Sequence, residues 1–333
     1  MEQKILGHSH VKISPIILGA WAIGGWMWGG TDEKDSVEAI QKSLEAGANT
    51  IDTAAIYGMG LSEEIVGKAI KGKRDKVVIA TKCGLRWDSR EGSEPWIQTG
   101  PDGKPLAIRR NSKPDSIRHE CAQSLKRLGV DFIDLYQIHA PDSSTPIEES
   151  WKTMMQLKEE GKVRAIGVSN YSLEQLERAH KIYPVDSIQP AYSLLRRDIE
   201  KDLLPFCKKN QISVLVYSPL ERGLLSGKVS MNRTFPEGDH RIKHPYFSPE
   251  NRKIVLDALE KIAPLAKKLQ VTLAQIISSC TLEMPGITAI IVGARNGKQA
   301  IENAQAGNLK LSKEDKDFIV QTLAEARSKL SMA

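Results

Sequence analysis

The sequence predicts an α/β fold: a (β/α)8 TIM barrel that forms one domain over residues 1–333, with an N-terminal β-hairpin and long loops after strands 3 and 7. Two observations favour this fold. Eight apolar, strand-like runs alternate with amphipathic helical stretches, and 333 residues are about the length of one such barrel. A doubly wound sheet has a similar alternation, but no G-x-G-x-x-G follows any of the runs.

The elements follow one another regularly along the chain. The opening segment KILGHSHVKIS has the pattern of a short hairpin. Runs rich in Val and Ile, typical of buried strands, lie at residues 16–20, 49–53, 76–82, 131–139, 163–169, 186–190, 212–218 and 287–294. Amphipathic helices are predicted between and after them, near residues 33–46, 62–71, 115–128, 147–160, 172–182, 199–210, 253–269, 297–306 and 312–328.

The helix after the second strand has a clear predicted start. Ser62 is a suitable N-cap, and Glu63 and Glu64 in the first turn suit the free N–H groups and the helix dipole. This start requires neither Asp52, which ends the preceding strand, nor Tyr57 in the small-residue loop between them. An acid that ends a strand caps a helix, forms an ion pair that holds the fold, or takes part in chemistry.

Two connections are longer than a compact domain requires. Residues 84–114 follow the third strand, and residues 219–250 follow the seventh. Long loops in compact domains are usually functional, and both leave the carboxyl ends of strands, where barrel enzymes keep their active sites. We therefore expect both segments to act as lids.

Composition excludes several classes of protein. The net charge is +6, but the basic residues are scattered among acids and aromatic residues make up only 5%, so the sequence predicts no nucleic-acid partner. The four cysteines lie far apart without a CxxC pair, which indicates reduced thiols rather than disulfides or a zinc site. The uncharged stretch 13–31 contains Pro15 and several glycines, so it is predicted to be a loop rather than a signal peptide. We expect a cytoplasmic protein with no membrane partner.

Polar and ionisable residues recur where the predicted strands end. In a parallel barrel these ends meet at one face, so the side chains should surround one site. The residues at or just after the ends of the predicted strands are Ala20, Trp21, Asp52, Lys82, His139, Ser169, Asn170, Gln189, Tyr217, Ser218, Gly293 and Arg295.

Three of these residues, Asp52, Lys82 and His139, together with Tyr57 on the loop after the second strand, could deliver a proton. A phenol has a reference pKa of about 10, poorly matched to neutral pH. An ammonium about 4 Å away, at an effective dielectric constant near 20, is worth roughly 4 kcal/mol, or about three pKa units. We therefore expect Lys82 to lower the pKa of Tyr57, Asp52 to hold the lysine, and His139 to orient a carbonyl oxygen. Each group taken singly also has an explanation without chemistry. The Asp52–Lys82 pair could be a structural ion pair, His139 could be a hydrogen-bonded histidine of the core, and Tyr217 could be a wall residue of the pocket.

Several motifs resemble those of the aldo-keto reductases, in the same order and across nearly the whole chain. They are IDTAAIYGMGLSEEIVGKAI, IATK, DFIDLYQIHAPD, GKVRAIGVSN, VYSPLERGLLSGK and IIVGARNGKQAIEN. The resemblance implies a barrel that binds NADPH/NADP+ without a Rossmann fold and reduces small-molecule aldehydes or ketones to alcohols. It implies a catalytic tetrad of Asp52, Tyr57, Lys82 and His139, with the tyrosine as general acid. It also implies a cofactor site formed by Ala20, Trp21, Ser169, Asn170, Gln189, Tyr217, Ser218, Pro219, Leu220, Arg222, Gly293, Arg295, Gln299, Glu302 and Asn303.

Two positions depart from the family pattern. Ala140 follows the predicted catalytic histidine where many members carry Trp, and this should widen the substrate pocket. Cys280 replaces a common Trp on the helix before the last strand, where it should affect outer packing only. Tryptophans in the first loop and the first long loop are expected to supply pocket walls instead: Trp21, Trp26, Trp28, Trp87 and Trp96.

Two other functions fit parts of the sequence. A metal-dependent barrel hydrolase would use a histidine pair such as His8 and His10, but these lie before the first strand, at the wrong end, and no further ligands complete a metal site. An NADPH-sensing regulatory subunit with little turnover would keep the same tetrad. We predict an enzyme that binds no metal and exists as a monomer or weak oligomer.

Overall fold

The computed structural model describes residues 1–331, and its architecture confirms the predicted fold. The strands, in chain order, are β1 (Lys4–Ile5), β2 (Lys12–Ile13), β3 (Ile16–Gly19), β4 (Thr50–Asp52), β5 (Val78–Cys83), β6 (Leu85–Arg86), β7 (Trp96–Thr99), β8 (Pro105–Arg110), β9 (Ile133–Ile138), β10 (Val163–Ser169), β11 (Ser187–Gln189), β12 (Ser213–Tyr217) and β13 (Ala289–Gly293). Eight of them, β3, β4, β5 and β9 to β13, pair in parallel and close into a barrel.

Helices surround the barrel. They are α1 (Glu33–Glu45), α2 (Leu61–Ala69), α3 (Pro114–Leu128), α4 (Ile147–Glu159), α5 (Leu173–Ile182), α6 (Leu203–Lys209), α7 (Pro249–Lys268), α8 (Leu273–Leu282), α9 (Gly297–Gln305) and α10 (Lys313–Arg327). The predicted helix at 199–210 is divided, because Asp198–Glu200 forms a separate 3₁₀ turn before α6. Helix α8 is absent from the helical stretches predicted by periodicity, because almost all of its side chains are buried.

The core has an inner and an outer layer. Inside the barrel, small and aliphatic side chains such as Ala80, Leu135 and Leu215 pack together with Leu6 and Ile13 of the hairpin. The hairpin closes the amino-terminal end of the barrel and leaves the opposite end open. The larger outer layer lies between the strands and the helices.

The first long loop is more ordered than a plain lid. Within residues 84–114, β6, β8 and β7 form an antiparallel sheet in that order. Ile108 of β8 packs on Ala54 and Ile56, which belong to the loop carrying Tyr57. The second long segment, residues 219–250, contains only 3₁₀ turns before α7 and is called the lid below.

The predicted N-cap of α2 is wrong. Gly60 occupies that position, with a left-handed backbone, and Ser62 lies inside the first turn. The Ser62 hydroxyl is fully buried and donates a hydrogen bond to the carbonyl oxygen of Ala20 at 2.8 Å. Ser62 therefore joins the helix to the first barrel strand rather than capping it.

Glycines set the path of the loop that carries Tyr57. Gly58 has φ +65°, and a Cβ atom there would overlap the carbonyl oxygen of Gly24 in the first loop. Gly24 in turn leaves no room for a Cβ, which would lie 2.7 Å from the carbonyl carbon of Tyr57. The two loops therefore touch backbone to backbone beside the tyrosine.

Three further findings concern residues 1–331. No helix in this range is both long and apolar enough to cross a membrane. All four cysteines are buried and free. No group of three or more potential ligands in the described part of the chain is arranged to hold a metal ion. The Nε2 atom of His8 lies 3.0 Å from the carbonyl oxygen of Asn210.

Candidate active site

Three of the predicted catalytic side chains meet at the open end of the barrel. The Lys82 ammonium, on β5, donates to Asp52 Oδ1 at 2.6 Å and to the carbonyl oxygen of Thr53 at 2.9 Å. Its nitrogen is 3.4 Å from the Tyr57 hydroxyl. Asp52 and Lys82 are almost completely buried, at 3% and 1% exposure. A buried ammonium thus bridges a carboxylate and a phenol.

The pKa values of this group differ from the expectation. Burial raises the pKa of Tyr57, and the positive charge of Lys82, which lowers it, does not fully offset that effect. Burial lowers the pKa of Lys82, but Asp52 and Tyr57 more than offset this, so the net pKa is raised. The lysine charge alone would lower the pKa of Tyr57, but the desolvation of the phenolate outweighs it.

His139 stands beside the tyrosine as a neutral ring. Its ring centroid is 5.7 Å from that of Tyr57, in an edge-to-face arrangement. Burial and the nearby charge of Lys82 lower the pKa of His139 well below its ordinary value. A neutral imidazole carries one donor and one acceptor nitrogen, so His139 can donate a hydrogen bond without a net charge.

The polar groups on the far side of the barrel mouth form a connected chain. The Tyr217 hydroxyl donates to Asn170 Oδ1 at 2.8 Å, and Asn170 Nδ2 donates to the carbonyl oxygen of His139 at 2.9 Å. Ser169 Oγ donates to the carbonyl oxygen of Gln189 at 2.9 Å. Asn170 adopts a positive φ of 61°, a strained conformation for a non-glycine residue.

A cavity of about 620 Å³ opens over these groups. The predicted site residues on its wall are Trp21, Asp52, Tyr57, His139, Ser169, Asn170, Gln189, Tyr217, Ser218, Pro219, Leu220, Arg222, Gly293, Arg295, Gln299, Glu302 and Asn303. Lys82 lies directly behind the wall. Ala20 is fully buried and is not on the wall, because its carbonyl oxygen and N–H group bond to Ser62 and Asp52. The role of Ala20 in the cofactor site stays a prediction.

The far end of the cavity is held together by polar contacts. Arg295 Nη2 donates to the carbonyl oxygen of Gly30 at 3.0 Å, and its backbone N–H donates to Gln299 Oε1 at 2.9 Å. The Glu302 carboxylate pairs with Lys228 of the lid at 2.8 Å. Lys228 also lines the cavity, and the sequence analysis missed it.

The lid docks on the first loop through His240, which the sequence analysis also missed. Its ring stacks on Trp21 with centroids 4.8 Å apart and meets Trp28 edge-on at 4.6 Å. Burial lowers the pKa of His240, so its ring is neutral and Nδ1 can donate to the carbonyl oxygen of Met27 at 2.9 Å. No periodic pattern surrounds this residue, so periodicity could not have revealed it.

Arg241 reinforces this docking. It pairs with the buried carboxylate of Asp239 at 2.6 Å, and its guanidinium lies 4.9 Å from the ring centroid of Trp28 and 4.2 Å from that of Phe235. The three consecutive ionisable residues from 239 to 241 are the one sequence signal that could have indicated the contact.

The expected aromatic walls are confined to the first loop. Trp21 and Trp28 line the cavity, whereas Trp26, Trp87 and Trp96 pack in the cluster beneath the β6–β8–β7 sheet. Ala140 is buried and lies outside the cavity wall, so the structure does not support a pocket widened at this position. Cys280 is buried in outer packing on α8, as expected.

Comparison with known proteins agrees with the fold. The chain matches the Aldo/keto reductase family over residues 15–323. It is 41% identical over 322 residues to aldo-keto reductase YhdN of Bacillus subtilis (strain 168), covering 96% of this chain and 92% of that protein. It is 39% identical over 332 residues to the NADH-specific methylglyoxal reductase of Escherichia coli (strain K12), covering 98% and 99%.

A solved structure shows the same likeness in three dimensions. The glycerol dehydrogenase of Gluconobacter oxydans superimposes with a TM-score of 0.86 at 39% identity, covering 97% of this chain and 95% of that one. The similarity therefore extends through the barrel and both long segments. The chain belongs to the aldo/keto reductase family, whose members are oxidoreductases that reduce carbonyl compounds with a nicotinamide cofactor.

Proposed function

We propose that the protein reduces small aldehydes or ketones to alcohols with NADPH, and that Tyr57 is the general acid. The observation that carries this proposal is the buried contact among Asp52, Lys82 and Tyr57 at the wall of the cavity. A phenol beside an ammonium can lose a proton to an oxygen because the phenolate that forms is stabilised by the positive charge.

The cavity fits a dinucleotide of this kind. Amide and hydroxyl groups of Ser169, Asn170 and Gln189 lie at one end, where a carboxamide needs both donors and acceptors, and Arg295 lies at the other. Tyr217, between them, offers a flat ring for stacking on a nicotinamide. When bound, the reduced nicotinamide supplies a hydride.

The chain's own residues act on the substrate oxygen. His139 donates a hydrogen bond that orients the carbonyl group, and its neutrality follows from its lowered pKa. Tyr57 gives its proton to the same oxygen as negative charge develops there. Burial keeps the phenol protonated until then, and Lys82, held by Asp52, stabilises the phenolate left behind.

The charges on the wall favour NADPH over NADH. Arg222, Arg233 and Arg295 line the cavity, and within residues 1–331 none of the three guanidinium groups forms an ion pair. Surplus positive charge suits a cofactor that carries an additional phosphate. The Escherichia coli relative is named as NADH-specific, so this preference is proposed for this chain and must be measured. The cytoplasmic location and the monomeric or weakly associated state stay predictions.

Substitution of Tyr57 tests the proposed reaction. Tyr57→Phe should lower kcat for carbonyl reduction by about 10²- to 10⁴-fold, the usual contribution of a general acid, while the Kd for NADPH stays unchanged. NADPH oxidation over a panel of aldehydes, ketones and sugars gives kcat, and fluorescence quenching gives Kd.

Tyr136→Phe is the matched control. Tyr136 is fully buried, lies outside the cavity and has an unpaired hydroxyl within the described chain, so this variant should keep wild-type kcat. A Tyr57→Phe enzyme that retains more than half of wild-type kcat would contradict the assignment. Wild-type protein that binds NADPH tightly but turns over no carbonyl compound would fit the regulatory subunit instead.

A further inference from the structure

Gln137 is a polar residue in the interior of the barrel, close to the proposed catalytic group. It lies on β9, is fully buried, and pairs in register with Lys82 on one side and Gly167 on the other. Its Nε2 atom has no hydrogen-bond partner within residues 1–331. Buried polar groups are almost always paired, and an aliphatic residue such as the neighbouring Leu135 would leave no unpaired donor. The amide therefore needs an explanation other than packing.

The carbonyl oxygen of the Gln137 amide faces Gln189. The Gln189 Nε2 atom donates to Asp52 Oδ2 at 2.8 Å and has a longer contact of 3.5 Å with Gln137 Oε1. The two glutamines are on strands separated by β10, on which Gly167 is paired in register with Gln137. A Cβ atom on Gly167 would lie 3.2 Å from Gln137 Cγ.

These contacts fix the orientation of the Gln189 amide. A primary amide has two N–H donors, and here one faces Asp52 and the other faces Gln137. Its carbonyl oxygen is therefore the group left free to accept a hydrogen bond from a ligand in the cavity. Asp52 uses its other oxygen to hold Lys82, so a continuous buried chain leads from Gln137 to the ammonium.

We propose that Gln137 is a positioning residue for carbonyl reduction, which holds the Gln189 amide and, through it, the carboxylate of Asp52 against Lys82. This inference rests on the proposed function, because it assigns Gln137 a role in the same proton-delivery group. Gln137 itself lies outside the cavity wall.

Gln137→Leu removes the acceptor and should lower kcat at least fivefold. The free energy of unfolding should be maintained or increased, because leucine suits the apolar interior and removes the unpaired donor. Ser187→Ala is the matched control. Ser187 lies on the other side of Gly167 and is fully buried, and within the described chain its hydroxyl forms no hydrogen bond, with Gln189 or any other residue. This control should keep wild-type kcat.

Gln137→Glu separates positioning from packing through the pH profile. While protonated, the glutamic acid keeps a carbonyl acceptor of the same size, so kcat should stay within twofold of wild type at the acidic end of the profile. Once ionised, it places a second negative charge near Lys82 and makes Tyr57 a weaker acid. We therefore expect kcat to fall with rising pH along a new limb that the wild-type profile lacks.

Two results would overturn the inference: wild-type kcat in Gln137→Leu, or a wild-type pH profile in Gln137→Glu. Tyr57→Phe, measured in the same assay, separates this failure from failure of the proposed function. If Tyr57→Phe is inactive while Gln137→Leu matches wild type, only the role of Gln137 is refuted.

Discussion

The phenol of Tyr57 shows how two opposing effects act on one residue. The lysine charge lowers its pKa, but burial raises it more, so the resting acid is weaker than free tyrosine. A group of this kind keeps its proton in the resting enzyme. In the proposed reaction, the lysine then matters most when negative charge forms on the phenolate, in the transition state rather than in the ground state.

Arg295 is the residue on which the cofactor preference can be tested. It is exposed, lines the cavity, and is anchored to the carbonyl oxygen of Gly30. Hydrogen bonds to charged groups contribute about 1.5–3 kcal/mol, which is roughly 10- to 150-fold in affinity. Arg295→Ala should therefore weaken NADPH binding at least tenfold and leave NADH binding unchanged, as measured by fluorescence quenching.

Lys298→Ala provides the control for Arg295. It removes the same charge from an exposed position on α9 that lies outside the cavity wall, so both affinities should stay at wild-type values. If Arg295→Ala leaves the ratio of NADPH to NADH affinity unchanged, the 2′-phosphate contacts another cation, with Arg222 and Arg233 the next to substitute.

At the scale of elements, α2 is tied to the barrel by a buried carboxylate. Glu63 is fully buried, accepts a hydrogen bond from Thr81 Oγ1 on β5 at 2.5 Å, and pairs with Arg127 on α3 at 2.7 Å. Removing one partner of a buried pair typically destabilises a protein by 3–5 kcal/mol. Because the Arg127 side chain is 17% exposed, we expect Arg127→Leu to lower the free energy of unfolding by about 3 kcal/mol.

Urea denaturation measures this change. The double variant Glu63→Gln with Arg127→Leu should regain much of the loss, since it leaves no buried charge without a partner. The kcat of the folded Arg127→Leu enzyme should stay near wild type, because Arg127 lies outside the cavity. A loss below about 1 kcal/mol would mean that water reaches Glu63 when the arginine is absent.

Most elements could be predicted from sequence, and the exceptions have physical causes. The strands and amphipathic helices show regular periods, but α8 is buried on nearly every face and has no polar side to contrast with an apolar one. Its N-terminus did carry a signal, the capping box of Thr272 and Gln275. The prediction that Ser62 caps α2 is wrong because serine favours both helix caps and buried hydrogen bonds, and only tertiary structure decides between them.

The site could be predicted only in part, for a related reason. Residues at strand ends converge because the barrel brings all of these ends to one face, so Asp52 and Lys82 could be found from the order of elements. His240 contacts Trp21 through an irregular segment, and no spacing rule relates a long loop to its docking surface. The contact between Gln137 and Gln189 joins side chains on two strands separated by β10, and a linear pattern does not reveal it.

At the scale of the whole molecule, Glu120 should make stability depend on pH. Burial raises its pKa to about 8, although the Gly84 N–H group and the charge of Arg86 oppose this. An unfolded glutamate titrates near about 4.3, so between these values the native state holds a proton that the unfolded chain has lost. The protonated Glu120 side chain therefore contributes stability that is fully present below about pH 4.3 and is lost as pH rises through about 8.

Glu120→Gln removes this dependence. Relative to that variant, the wild-type free energy of unfolding should fall between pH 5 and pH 8, by at most about 1.4 kcal/mol per pH unit. Urea denaturation of both proteins at fixed ionic strength gives the difference. Parallel curves for the two proteins would show that Glu120 is ionised in the native state throughout this range.

The backbone contact between Gly24 and Gly58 bears on how such a scaffold can evolve. At this contact the loop that carries Tyr57, the proposed proton donor, rests on the first loop through backbone atoms. Trp21 and Trp28, in that same first loop, face the cavity. In the first loop, side chains therefore line the cavity while backbone atoms support the loop that carries Tyr57. Under the proposed function, a cavity-lining side chain such as Trp28 can change towards new carbonyl compounds while the backbone contact beside Tyr57 is kept.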